Sequence, residues 1–221
     1  MKKVVAVDGP AGSGKSSVCR RAAIELGMKY IDSGAIYRAV TLYFLEKYGD
    51  SFKEADPVNE LSDISIAQEF RADGSVSTML NGRDVSADIR DERISRSIGF
   101  FSDNRGVREF VNRLLREWAG ENSLIMDGRD IGTVVFPDAL VKIYLDASVG
   151  ERTVRRVKEY REQGKNVDEN AVRNQIIQRD SDDHGREFGA LRRAGDAVFL
   201  DTSTMSFNEV VERLKEIITG K

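Results

Sequence analysis

The chain is poor in the residues that build metal cages and cross-links. Its 221 residues include one cysteine, Cys19, and one histidine, His184. A single cysteine excludes an internal disulfide and any cysteine-based metal cage. Cys19 falls among apolar residues and reads as a small core side chain. His184 falls in a polar stretch and reads as a solvated loop residue. With only three prolines there is no proline-rich linker, and no repeat or low-complexity segment divides the chain. No window holds the ~20 apolar residues of a membrane span, so no membrane partner is expected. The chain passes straight into its first apolar run, so no signal or transit peptide is expected and the cytoplasm is the simplest compartment. Net charge is −3. That gives no global basic field for nucleic acid, which is not expected as a partner. No apolar helix face is left over, so a monomer is expected.

What remains is soluble and globular: 40% apolar and 32% charged residues, enough to bury a substantial core. The strongest motif is Gly9-Pro10-Ala11-Gly12-Ser13-Gly14-Lys15-Ser16, two glycines with four residues between them followed by Lys and a hydroxyl. It fits the phosphate-binding P-loop pattern. Its context fits too. Lys3 to Asp8 reads as a buried parallel strand, and Ser16 to Leu26 as a helix with Val18, Ala22, Ala23 and Leu26 apolar. Freed N–H groups and the helix dipole would point at an anion. Lys15 is expected to reach the β- and γ-phosphates, and Ser16 to ligate Mg²⁺.

Four further apolar runs end, like the first, in aspartate: Met28–Asp32, Leu124–Asp127, Val141–Asp146 and Ala197–Asp201. Helical patterns lie between most of them. This predicts an α/β fold, a five-stranded parallel sheet with helices on both faces, within a single domain spanning 1–221. Ligands in such sheets sit at the carboxyl ends of the strands, which lines up Asp8, Asp32, Asp127, Asp146 and Asp201. Asp127 resembles a Walker B aspartate that could hold Mg²⁺ through water. Arg129 and Asp130 follow it on a glycine-bearing loop.

Asp32-Ser33-Gly34-Ala35-Ile36-Tyr37-Arg38 opens a second helix, a second anion-friendly start with its own arginine. Residues 57–90 break the βα rhythm. Asp63–Ala67 alternates, 72–75 reads as a turn, Val76–Leu80 as a strand, and Asn81-Gly82 as a hairpin turn. The expectation is a small antiparallel insert, either closing over a substrate or elaborating the surface. Arg105 and Arg108 open a core helix that carries Val107, Phe110, Val111, Leu114, Leu115 and Trp118. Glu151 to Arg179 reads as a helical hairpin, its second helix from about Asp168 to Arg179, that could serve as a lid, with Arg152, Arg155 and Arg156 together. Arg179, Asp183 and Arg186 would share one face of a helical turn. The last helix opens on a capping box, Ser206 to Glu209.

A P-loop says nucleoside triphosphate and leaves the outcome open. The guanine-reading Asn-Lys-x-Asp of a GTPase is absent. If the acceptor is itself a phosphate, many cations and no general base are needed. Arg38, Arg129, Arg179 and Arg186 suit such a pocket, and Arg152, Arg155 or Arg156 the transferring phosphate. An alcohol acceptor would want a carboxylate base, which Asp127 or Asp32 could supply.

Asp8–Ser16, Asp32–Arg38, Asp127–Pro137 and Arg179-Asp180-x-x-Asp183-x-x-Arg186 resemble the motifs of the bacterial cytidylate kinases, in that family's order and spacing across essentially the whole chain. The resemblance implies transfer of the ATP γ-phosphate to CMP and dCMP, with Mg²⁺. It implies a core of 1–32, 105–150 and 190–221, a nucleoside-monophosphate region of 33–104 that includes the insert, and a lid at about 151–166. It implies ATP contacts from Gly9, Pro10, Ala11, Gly12, Ser13, Gly14, Lys15, Ser16, Ser17 and Arg155, metal contacts from Ser16 and Asp127, and catalytic roles for Lys15, Arg129, Arg152 and Arg156. CMP contacts would come from Ser33, Tyr37, Arg38, Arg108, Arg129, Asp130, Arg179, Asp183 and Arg186, with Asp130 meeting the cytosine amine and Asp183 a sugar hydroxyl. The chain departs from the family at Gly99, where a serine is usual, and Ser97 or Ser102 would have to substitute.

Overall fold

The computed structural model describes residues 3–71, 76–120, 122–162 and 164–220. The expected turn at 72–75 lies outside them. The main sheet has five parallel strands: β1 (Val4–Asp8), β2 (Lys29–Asp32), β6 (Leu124–Gly128), β7 (Val141–Asp146) and β8 (Val198–Asp201), in the order β2-β6-β1-β7-β8. Side chains alternate between the two faces of each strand. Val5, Val7, Ile125, Ile143 and Leu145 pack with α1 (Lys15–Glu25) and α8 (Phe207–Thr219). Ala6, Met126 and Leu124 pack on the opposite face with α2 (Ser33–Tyr48), α4 (Glu92–Ser102) and α5 (Arg105–Ala119). The aspartates that end the strands fall together: Asp32 pairs in register with Asp127, and Asp146 with Asp201.

The insert holds the short α3 (Pro57–Glu60) and an antiparallel sheet, β3 (Ile66–Phe70), β4 (Val76–Leu80) and β5 (Arg83–Asp84). Asn81 and Gly82 take φ of 49° and 80°, the doubly positive pair of a type I′ turn. The strand starts at Ile66, later than the alternation from Asp63 suggests, because Leu61–Asp63 first close a 3₁₀ turn. Ile66, Leu80, Val85 and Ile89 belong to the same buried cluster as α2. The insert is therefore fused to the domain by a shared core.

The charged hairpin is α6 (Val149–Glu162) and α7 (Glu169–Gly185). The second helix continues past Arg179 to Gly185, so His184 is helical, not a loop residue. It is exposed, with its Nδ1 2.7 Å from the Asp180 carbonyl. Asp168 caps α7 through Asn170 N and Ala171 N, and the capping box of α8 forms as expected. No helix among the described residues is long and apolar enough to cross a membrane.

Candidate active site

β1 delivers the chain into the loop 9–14 at the carboxyl edge of the sheet. A Cβ at Gly9 would lie 2.0 Å from the Leu145 carbonyl oxygen of the next strand, so only glycine fits there. Lys15 folds back under the loop. It is 5% exposed and donates to Pro10 O at 2.9 Å. Burial pulls its ammonium down to about 7, and the charge of Arg129 adds to the effect.

Asp127, at the end of β6, is the pivot. Its Oδ2 accepts from Ser16 Oγ at 2.8 Å and its Oδ1 from Tyr30 OH at 2.6 Å, while its carbonyl accepts from Ser33 Oγ at 2.7 Å. One residue thus touches the first turns of both α1 and α2. Burial pushes the Asp127 carboxyl up, with Asp32 adding to it and Lys15, Tyr30 and Ser16 opposing. A hydroxyl and a carboxylate oxygen side by side are the hard donors that Mg²⁺ takes. Among the described residues no cluster of three His, Cys, Asp or Glu forms a cage. The pair therefore suits an ion that draws its other ligands from water and phosphate.

Beyond Asp127 a group of arginines gathers around Asp32, at the start of α2, and Asp183. Arg38 stands 3.8 Å from Asp32 Oδ2. Burial lowers its pKa, against the pull of Asp32 and with the charges of Arg90 and Arg129 adding to the fall. Asp183, 0% exposed, gathers three guanidiniums: Arg129 at 2.6 Å, Arg186 at 2.7 Å and Arg179 at 3.4 Å. Burial raises this carboxyl, and the three arginine charges outweigh burial, so it lies below the ordinary range. Its Oδ1 lacks the geometry of a hydrogen bond to any described residue. Arg108, 1% exposed, donates from Nη2 to Asp130 Oδ2 at 2.5 Å and lies over the Tyr37 ring at 5.4 Å. The Tyr37 hydroxyl is buried without a partner among the described residues.

A model of the cytidylate kinase family matches residues 5–220. The chain belongs to the cytidylate kinase family. A cytidylate kinase of Lactobacillus johnsonii is 44% identical over 217 residues, covering 98% of this chain and 94% of the relative. One of Carboxydothermus hydrogenoformans is 40% identical over 217 residues, covering 98% and 97%. A solved structure, an uncharacterized protein from Eubacterium ventriosum, covers 100% of both chains with a TM-score of 0.54 at 13% identity. That likeness is one of fold.

In this member of the cytidylate kinase family the three arginines of α6 part company. Arg152 Nη1 reaches Ala11 O at 3.1 Å, and Arg155 Nη1 reaches Ser13 O at 3.1 Å, so both hold the P-loop. Arg156 instead bonds Glu159 on its own helix at 2.7 Å and lies over Tyr160 at 4.7 Å. Ser102 is bound up with Gly99 O, Asp103 and Arg186. Sequence reasoning missed the parts played by Tyr30, Arg90 and Asp180, and lined up Asp8 at the sheet edge without assigning its partners. Asp8 ends β1 and accepts from Ile131 N and Gly132 N, both at 2.8 Å, which fixes the π-helical turn Ile131–Val135 behind Asp130. Of the three missed residues, Asp180 alone carried a signal, lying between two singled-out residues of one helix.

Proposed function

We propose that the chain transfers the γ-phosphate of ATP to CMP, and also to dCMP, giving ADP and CDP or dCDP. The observation that carries this is the position of Asp127 between two positive helix starts, with Ser16 on its side chain and Ser33 on its carbonyl. A donor phosphate at α1 and an acceptor phosphate at α2 would then face each other across one residue. Gly9 to Ser17 would cradle the triphosphate, and Lys15 would neutralise its β- and γ-oxygens. Arg155 would steady the loop from behind. Mg²⁺, held by Ser16 and through water by Asp127, would supply the remaining charge on the transferring phosphate.

At the acceptor end Ser33, Arg38 and Arg129 meet the CMP phosphate, with Arg179 and Arg186 completing the cationic wall. An acceptor phosphate is already ionised near neutral pH, so no base is required. Asp183 holds the wall together, and its Oδ1, ion-paired with Arg186 and Arg179 but short of a formed hydrogen bond, would take a sugar hydroxyl. Asp130, oriented by Arg108, accepts from the cytosine amine where uracil offers an acceptor. Tyr37 backs the Arg108 plane. Arg152 and Arg156 belong to the lid, about 151–166, where Arg156 would have to leave Glu159 to serve. The core of 1–32, 105–150 and 190–221 and the acceptor region of 33–104 follow the same division, and Gln68 of the insert reaches Asp32 O at 3.5 Å. The single buried thiol, Cys19, suits the cytoplasm, where we place the chain as a monomer.

The test is ADP release measured across CMP, dCMP, UMP, AMP and shikimate. Turnover should be fastest with CMP and dCMP. Turnover with shikimate alone, or tight ATP binding with no turnover on any acceptor, contradicts the proposal.

A further inference from the structure

Arg152 is a hub. It is 4% exposed, and its guanidinium meets three separate segments. Nε donates to Ala147 O at 2.9 Å, after β7. Nη1 donates to Ala11 O of the P-loop at 3.1 Å. Asp180 on α7 takes the fork, Oδ1 from Nη1 at 2.9 Å and Oδ2 from Nη2 at 2.6 Å. A guanidinium carries five N–H donors, and these contacts use four. The one left over is on Nη2.

Asp180 is one residue from Arg179 and three from Asp183, the residues of α7 that join the arginine group of the proposed acceptor side. The helix thus presents acceptor-side groups and, through Asp180, a grip on the donor loop. From the reading of the site as a phosphoryl-transfer centre, on which this rests, we infer that Asp180 is a positioning residue. Its forked pair with Arg152 sets the P-loop turn at Ala11 against the acceptor wall.

Two physical points favour positioning over mere adhesion. A buried ion pair contributes little net stability over an apolar pair of the same volume, so adhesion alone gives little reason for one here. A bidentate carboxylate–guanidinium pair also fixes a plane as well as a distance, and directional control is what in-line transfer between two bound phosphates demands.

The experiment compares Asp180→Asn and Arg152→Lys with wild type, measuring kcat, both KM values and thermal unfolding. Asp180→Asn keeps the shape and loses one acceptor of the fork. Arg152→Lys keeps the charge and loses the plane. Each is expected to lower kcat on the order of 10²-fold and to raise KM for ATP, leaving KM for CMP within about twofold; misplacement of reacting groups has effects of this size. The double variant should be no worse than the poorer single one, because both remove the same unit. Unchanged kcat and KM for ATP in both variants, whatever happens to the melting temperature, overturns the inference. So does a rise in KM for CMP alone. Wild-type protein with ATP and CMP runs in parallel. Its failure to turn over counts against the kinase reading, whereas turnover with indifferent variants counts against Asp180 only.

Discussion

Tyr30 donates to one oxygen of Asp127 and Ser16 to the other, so the carboxylate at the centre of the site has no rotational freedom. Tyr30→Phe removes one hydrogen bond and little volume. It should weaken Mn²⁺ binding to the ADP complex on the order of tenfold or more, roughly the 1.5–3 kcal/mol of one bond to a charged group, measured by electron paramagnetic resonance. Unchanged affinity removes Tyr30 from the site. Asp8 gives a pH dependence. Burial, with backbone hydrogen bonds from Gly132 and Ile131 opposing it, holds its carboxyl up at about 7 against an ordinary 3.8. The folded chain therefore keeps a proton that the unfolded chain has already lost between those values. This contribution to stability is complete below about pH 4 and is lost as pH rises to about 7, at a slope of up to ~1.4 kcal/mol per unit. Urea unfolding from pH 5 to 7 should show wild type losing stability relative to Asp8→Asn. The opposite slope contradicts the assignment.

Among the elements, α2 and α7 carry the acceptor side by different means. α2 opens on Asp32, whose Oδ1 accepts from Ala35 N at 3.1 Å, and it places Ser33, Tyr37 and Arg38 in its first turns. Arg38→Ala should reduce kcat/KM for CMP by about 10²-fold or more, the worth of a bidentate phosphate contact. Steady-state kinetics that match wild type would place the acceptor elsewhere. The face of α7 that looks into the site is covered by ion pairs in place of apolar side chains. That is why residues 179–185 show no hydrophobic period and why His184 reads, from sequence, as a loop residue. The P-loop, the strand-ending aspartates, the Asn81-Gly82 turn and the α8 capping box were legible because each is a local pattern with a local cause. The partners of Arg152, Arg156 and Asp127 were not. They depend on how α6 and α7 rotate about their axes and on which strand lies beside β6, and neither leaves a mark at fixed spacing.

At the scale of the whole molecule, the parallel sheet brings five chain segments to one edge, and function depends on the distance between two of them. The P-loop and the start of α2 lie on opposite sides of Asp127, and α7 spans both. Lys15→Ala should abolish turnover with the fold intact by circular dichroism, since the β/γ charge would no longer be neutralised. Near-normal activity would remove the P-loop from the mechanism. The most direct test of phosphoryl transfer between the two helix starts is the ³¹P spectrum of the protein mixed with ATP, CMP and Mg²⁺. The β-phosphate of CDP should grow in step with that of ADP, and no inorganic phosphate should form. Inorganic phosphate in place of CDP, or an unchanged ATP spectrum, would contradict it.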